Sequence, residues 1–177
     1  MRFSVHCIFV LACLFSIGQA FSQDTIHWRS NYELSWDDYR AVPEDSIDHD
    51  AVSAINISYQ LKFNKKEYQY DVFCVFDKKD SWVKQRDSVL LSHEQVHFNI
   101  HELFARKIRR EFKNYRFNYS TIKTDFQRIF ENLVSQSEAM NKRYDVETNF
   151  SKNRKAQDFW NENIARSLTD LEQFKSQ

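Results

Sequence analysis

The run Ser92-His93-Glu94-Gln95-Val96-His97 places two imidazoles and a carboxylate in the spacing H-E-x-x-H. Four residues are a little over one helical turn, so on a helix His93 and His97 share a face, about 6 Å apart along the axis. Two imidazoles so placed can converge on one Zn²⁺, and Glu94 then stands beside an open coordination position. A carboxylate there can take a proton from water on the metal, the general-base step by which metallopeptidases attack a peptide or amide bond. The expected cofactor is zinc, and the expected partner is a peptide or protein substrate.

A catalytic zinc usually takes three protein ligands. His101 continues the histidine face, but along an unbroken helix it lies about 12 Å from His93, whereas donors on one zinc must lie within roughly 4 Å of each other. In the metzincin pattern a glycine breaks the helix before the third histidine, and this chain has none there. His101 therefore reads as a residue behind the ligands, a substrate-side group or an ordinary helix histidine. The third ligand is expected where a second helix, antiparallel to the first, brings its C-terminal end beside His93. Glu138 lies at that end, and Tyr144-Asp145-Val146-Glu147-Thr148 lies in the turn expected to follow. Glu138, Asp145 and Glu147 are the candidate ligands, each of a type that is more often a solvated or capping acid. Tyr144 is a candidate donor to a developing oxyanion.

The elements that position these groups follow from periodicity. Apolar residues Leu90, Phe104 and Ile108 recur with the histidines at three- and four-residue spacing, which predicts a helix from about Asp87 to Lys113. A second helix is expected from Ser120 and Thr121 through Ile122, Phe126, Ile129, Phe130, Leu133 and Met140. A third spans about Ser151 to Phe174, with Trp160, Ile164, Leu168 and Leu171 on one stripe. Upstream, Ile55, Ile57, Tyr59, Leu61 and Phe63 alternate, as a half-buried strand does; Asn64-Lys65-Lys66 turns, and Tyr68 to Phe76 returns as a hairpin. Tyr32 to Trp36 also alternates and reads as a strand closed by a helical turn at Trp36–Tyr39, and Asp77-Lys78-Lys79-Asp80 reads as a turn. The expected fold is α+β: a small antiparallel sheet from the N-terminal half, packed on three C-terminal helices with the histidine pair on the first long one.

The chain opens with Arg2, an apolar run from Phe3 to Ile17 and a small-residue exit with cleavage after Ala20 or Ser22. Residues 1–22 read as a secretory signal peptide and residues 23–177 as one zincin-like domain, secreted or periplasmic. The apolar run continues past Cys13, which argues against lipoprotein anchoring at that cysteine. No later segment is long and apolar enough to span a membrane. Cys74 alone would remain after cleavage, so stability must come from packing rather than an internal disulfide. Gly18, the only glycine, also falls in the leader, so turns must use Asn, Asp, Ser and Lys. The 25 basic residues balance 25 acidic ones, which gives no electrostatic case for nucleic acid.

Several short pieces recur in an ordered way: Leu90-Leu91-Ser92-His93-Glu94-Gln95-Val96-His97-Phe98, then Glu102-Leu103-Phe104-Ala105-Arg106, then Tyr144-Asp145 with Thr148, Gln157 and Trp160. With Trp36 and Ser81-Trp82-Val83 upstream, they resemble the bacterial "domain of unknown function 922" family over about residues 34–171. The resemblance implies an exported protein carrying an HExxH of zinc-peptidase type. The chain departs from the family's pattern at Val96, where Gly is common, and at Phe150, where a His commonly follows the Thr by two residues. If that His is a ligand or a transition-state donor, this chain lacks it. Two functions therefore stand: an exported zinc metallopeptidase-like hydrolase, or a catalytically inactive zincin-like binding or interaction protein of the cell envelope. The Phe150 departure and the aromatic load of 16 Phe, 8 Tyr and 4 Trp motivate the second.

Overall fold

The computed structural model describes residues 24–46 and 49–176. The expected signal peptide, its expected cleavage positions and Cys13 lie outside these. Strands β1 (Thr25–His27), β2 (Ala51–Phe63) and β3 (Tyr68–Val83) form an antiparallel sheet in the order β1-β3-β2. Helices α1 (Ser88–Lys113), α2 (Ile122–Thr148) and α3 (Arg154–Asp170) follow. The fold is α+β, with the small sheet in the N-terminal half and three helices behind it.

Helix α1 is the hub, touching β2 and β3 on one side and α2 and α3 on the other. Its buried residues run all round, from Leu90 and Val96 through Phe98, Ile100, Phe104, Ile108 and Phe112, as a helix does when it is enclosed by neighbours. Asp87 starts it, its carboxylate accepting from the amides of Val89 and Leu90 at 2.6 and 3.0 Å. At the far end Phe112 stacks on Phe126 of α2, 3.9 Å between ring centres. Tyr68 and Tyr70 of β3 donate to the carbonyls of Phe112 and Arg109 at 2.8 and 3.0 Å. In the middle of α1, buried Glu102 accepts from Arg106 at 3.0 Å and Arg109 at 2.9 Å. Arg106 also reaches Glu172 at 3.0 Å, and Arg109 the carbonyls of Val72 and Phe174. Each buried charge is thus paired, and α1 is tied to β3 and to the C-terminal segment.

The β2–β3 turn closes without glycine, because the Asn64 side chain accepts from the amides of Lys66 and Glu67 at 2.8 and 3.2 Å. Four sequence expectations are corrected. Tyr32–Trp36 is not a strand, and β1 lies earlier. Tyr32 and Ser35 instead bond the Asp38 carboxylate of a 3-10 turn at Trp36–Asp38, and such local bonds compete with a ladder. Asp77–Asp80 has real turn chemistry, since the Asp77 carboxylate accepts from the amides of Lys79 and Asp80, yet the strand runs on to Val83. Helix α2 continues through Tyr144–Thr148, which therefore lie on a helix and not in a turn. Helix α3 starts only at Arg154, because Asn149, Phe150 and Ser151 all have left-handed φ (48°, 51° and 72°) and form the connection; its end is a separate 3-10 turn at Glu172–Phe174.

Asp38 is buried, and Lys78 lies 2.9 Å from it. Burial acts to raise its pKa, but the bonds from Lys78, Ser35 and Tyr32 outweigh this and hold the carboxyl below its ordinary 3.8. A folded pKa below the unfolded one adds stability that is fully present above about pH 4 and is lost as the pH falls through the folded value. Asp38→Asn should therefore destabilise the protein at pH 7 by about 2–4 kcal/mol. The gap should narrow as the pH is lowered below about 4. Urea midpoints of both proteins at pH 7 and pH 3 check this, and equal midpoints at pH 7 would refute it.

Candidate metal centre

His93 and His97 lie in the second and third turns of α1, facing the last turns of α2. There Asp145 meets them. Its Oδ1 is 3.1 Å from His93 Nε2 and 2.9 Å from His97 Nε2, and the two Nε2 atoms are 3.2 Å apart. These three residues form the group among the described residues that could hold a metal ion. Bonds of 2.0–2.1 Å in a tetrahedral zinc site separate donors by about 3.3–3.4 Å. The three atoms need open by only a few tenths of an ångström to accept the ion, and two imidazoles with one carboxylate are a donor set suited to zinc.

The surroundings fix which nitrogen each ring presents. His93 Nδ1 faces Gln157 Oε1 at 3.2 Å, and His97 Nδ1 faces Asn141 Oδ1 at 2.7 Å. An amide oxygen only accepts, so each Nδ1 carries its proton and each Nε2 is left to turn towards Asp145. The Asn141 and Gln157 orientations are anchored in turn: Asn141 Nδ2 donates to the Ser137 carbonyl, and Gln157 Nε2 to Asn161. The spot favours positive charge. Burial acts to raise Asp145, but the bonds and charges of His93 and His97 hold its carboxyl well below the usual range. Burial acts to lower His97, yet the bond from Asp145 and the charges of Glu94 and Asp145 bring it out raised.

The other sequence candidates fall in different places. Glu94 is buried at 5% exposure and lines the same cleft, about 450 Å³, together with His93, His97 and Asp145. His101 lines it too; burial pushes its pKa down to about 4, and its Nδ1 donates to the His97 carbonyl at 2.7 Å, leaving a neutral ring outside the ligand group. Tyr144 is fully buried, its ring stacked on His93 at 4.4 Å. Its hydroxyl donates to Gln157 at 2.7 Å, so it backs His93 and does not line the cleft as an oxyanion donor would. Glu138 is exposed and stands outside the ligand group. Glu147 is also exposed, held by Arg143 at 2.6 Å and by the Trp160 indole at 2.9 Å. Phe150 sits at the rim, half exposed, 5.7 Å from the His49 ring.

Sequence reasoning missed the supporting roles of Asn141 and Gln157, and it missed Ser53, which bonds Glu94. Asn141 had a usable sign: with Tyr144, Asp145 and Thr148 it makes the i, i+3, i+4, i+7 face of one helix. Ser53 had none, because its neighbour is 41 residues away.

No helix among the described residues is long and apolar enough to cross a membrane. No curated protein and no solved structure matches the chain. The family described as "bacterial protein of unknown function (DUF922)" matches residues 19–152, a span that takes in His93, Glu94, His97 and Asp145 and stops short of Gln157. The chain belongs to that family.

Proposed function

We propose that this family member is an exported, zinc-dependent hydrolase of metallopeptidase type, acting on a peptide or amide bond. The observation that supports this is the meeting of His93 Nε2, His97 Nε2 and Asp145 Oδ1 within 2.9–3.2 Å of one another, beside Glu94 in an open cleft. Those three residues would hold the ion. Zinc bound there supplies a Lewis acid for the substrate carbonyl and lowers the pKa of water towards about 7.

The chain's own groups do the remaining work. Glu94 takes a proton from water as the water oxygen bonds the carbonyl carbon, and returns it to the amide nitrogen as the C–N bond breaks. Asn141 and Gln157 hold the Nδ1 protons, which keeps both Nε2 lone pairs aimed at one point. Val52, Ile55 and Leu90 give the cleft an apolar lining on the side of Glu94.

Phe150 at the rim supports a second reading, an envelope protein that binds partners through this cleft without hydrolysis. Elemental mass spectrometry of the purified protein, followed by incubation with a peptide pool and identification of new termini, tests both. About one zinc per chain with zinc-dependent cleavage is the expected result. No zinc after reconstitution overturns the hydrolase reading. Zinc without cleavage gives the second.

A further inference from the structure

Strands β2 and β3 pair residue by residue from Phe63↔Tyr68 to Ala54↔Asp77, and the register then breaks, with Val52 opposite Trp82. One residue of β2, Ser53, therefore faces the whole stretch Lys78–Ser81 of β3. This irregularity is held from two sides. Within it, Ser81 Oγ accepts from the Ala54 amide at 2.9 Å and donates to the Asp77 carbonyl. Outside it, the amides of Arg40 and Ala41 donate to the carbonyls of Lys78 and Ser81 at 2.8 and 2.9 Å, and Asp38 pairs with Lys78. Tyr39 is thus fixed between anchored neighbours, its ring edge-on to Trp36 and Phe76 at 4.9 and 5.2 Å. A bulge re-aims a side chain, and this one turns Ser53 towards α1.

Ser53 Oγ lies 2.6 Å from Glu94 Oε2 and 2.7 Å from the Tyr39 hydroxyl. The carboxylate can only accept, so the one Ser53 proton goes to Glu94 and the Tyr39 proton goes to Ser53. Burial, followed by the charge of Glu94, drives the Tyr39 pKa far up, which keeps that proton in place. Oε2 is therefore engaged, and the described residues give Oε1 no hydrogen bond on the cleft side.

We propose that Ser53, itself oriented by Tyr39, is the positioning residue for Glu94, tying down one carboxylate oxygen so that the other faces the cleft. Its catalytic consequence rests on the hydrolase reading; the positioning itself does not.

Ser53→Ala, Ser53→Thr and Tyr39→Phe test it. Crystal structures of the zinc-loaded wild type and Ser53→Ala should show the Glu94 carboxylate displaced in the variant, with His93, His97 and Asp145 superposing. Zinc content should be equal. On a peptide the wild type cleaves, Ser53→Ala should lower kcat by about 10–100-fold, KM changing by no more than about twofold. Ser53→Thr keeps the hydroxyl and should restore kcat to within about threefold, and Tyr39→Phe should fall between. Glu94 unmoved in Ser53→Ala overturns the proposal, as does loss of zinc in that variant or failure of threonine to restore the rate. A wild type that cleaves nothing would sink the hydrolase reading alone, since the position of Glu94 is still read from the crystals.

Discussion

Asp145→Asn should lower zinc affinity by a factor on the order of 10²–10³. Structural zinc sites carry an apparent binding free energy of about 10–16 kcal/mol over four ligands, or about 3 kcal/mol for each. Asparagine matches aspartate in size and can still accept one hydrogen bond from the histidines, so α2 keeps its packing on α1. What goes is the anionic oxygen at 2.9 and 3.1 Å from the two Nε2 atoms. Competition against a chelator of known affinity measures the change. A difference below about threefold would remove Asp145 from the ligand set.

Glu94→Gln has the opposite signature. Zinc content and affinity should stay near wild-type values, because Glu94 is not among the gathered donors, and turnover should fall by about 10²–10⁴-fold. The amide oxygen of glutamine can still accept from Ser53, so the side chain keeps its anchor at 2.6 Å. It cannot take up the proton that the attacking water must lose. Peptide cleavage at saturating zinc reads the effect directly, and unchanged hydrolysis would end the general-base assignment.

Much of the scaffold was legible because it is set by local patterns. The alternation from Ile55 to Phe63 lies within β2, and the three- and four-residue apolar spacing after Asp87 matched α1, whose first turn the Asp87 side chain caps. The errors have two sources: a local turn whose use in the sheet was not foreseen, and local side-chain bonds that alternation alone does not reveal. Asp77 makes a turn, and the sheet uses that turn as an irregularity inside β3. Ser35 and Asp38 bond each other and take Tyr32–Trp36 out of any ladder. At the centre, His93 and His97 were visible because their relation is one of helical spacing. Asp145 stayed one of three acids because the choice depends on how far α2 continues and how it docks. Once Asn149 ends that helix in a left-handed conformation, Asp145 lies on the face towards α1 while Glu138 and Glu147 are exposed. Periodicity groups Asp145 with Asn141, Tyr144 and Thr148 on one face, but which face meets α1 is decided by docking.

The bonds that build this centre each bridge a long stretch of chain: 41 residues from Ser53 to Glu94, 44 from His97 to Asn141, 52 from His93 to Asp145 and 64 from His93 to Gln157. During synthesis from the N-terminus the paired histidines exist well before the carboxylate and the amides that complete their environment. Zinc fingers are folded by their metal. Here the hairpin and three helices must dock before the three candidate donors stand together. On the zinc reading proposed above, loading would be a late event in the life of the chain, since a nascent or misfolded copy would offer the ion only two imidazoles one turn apart.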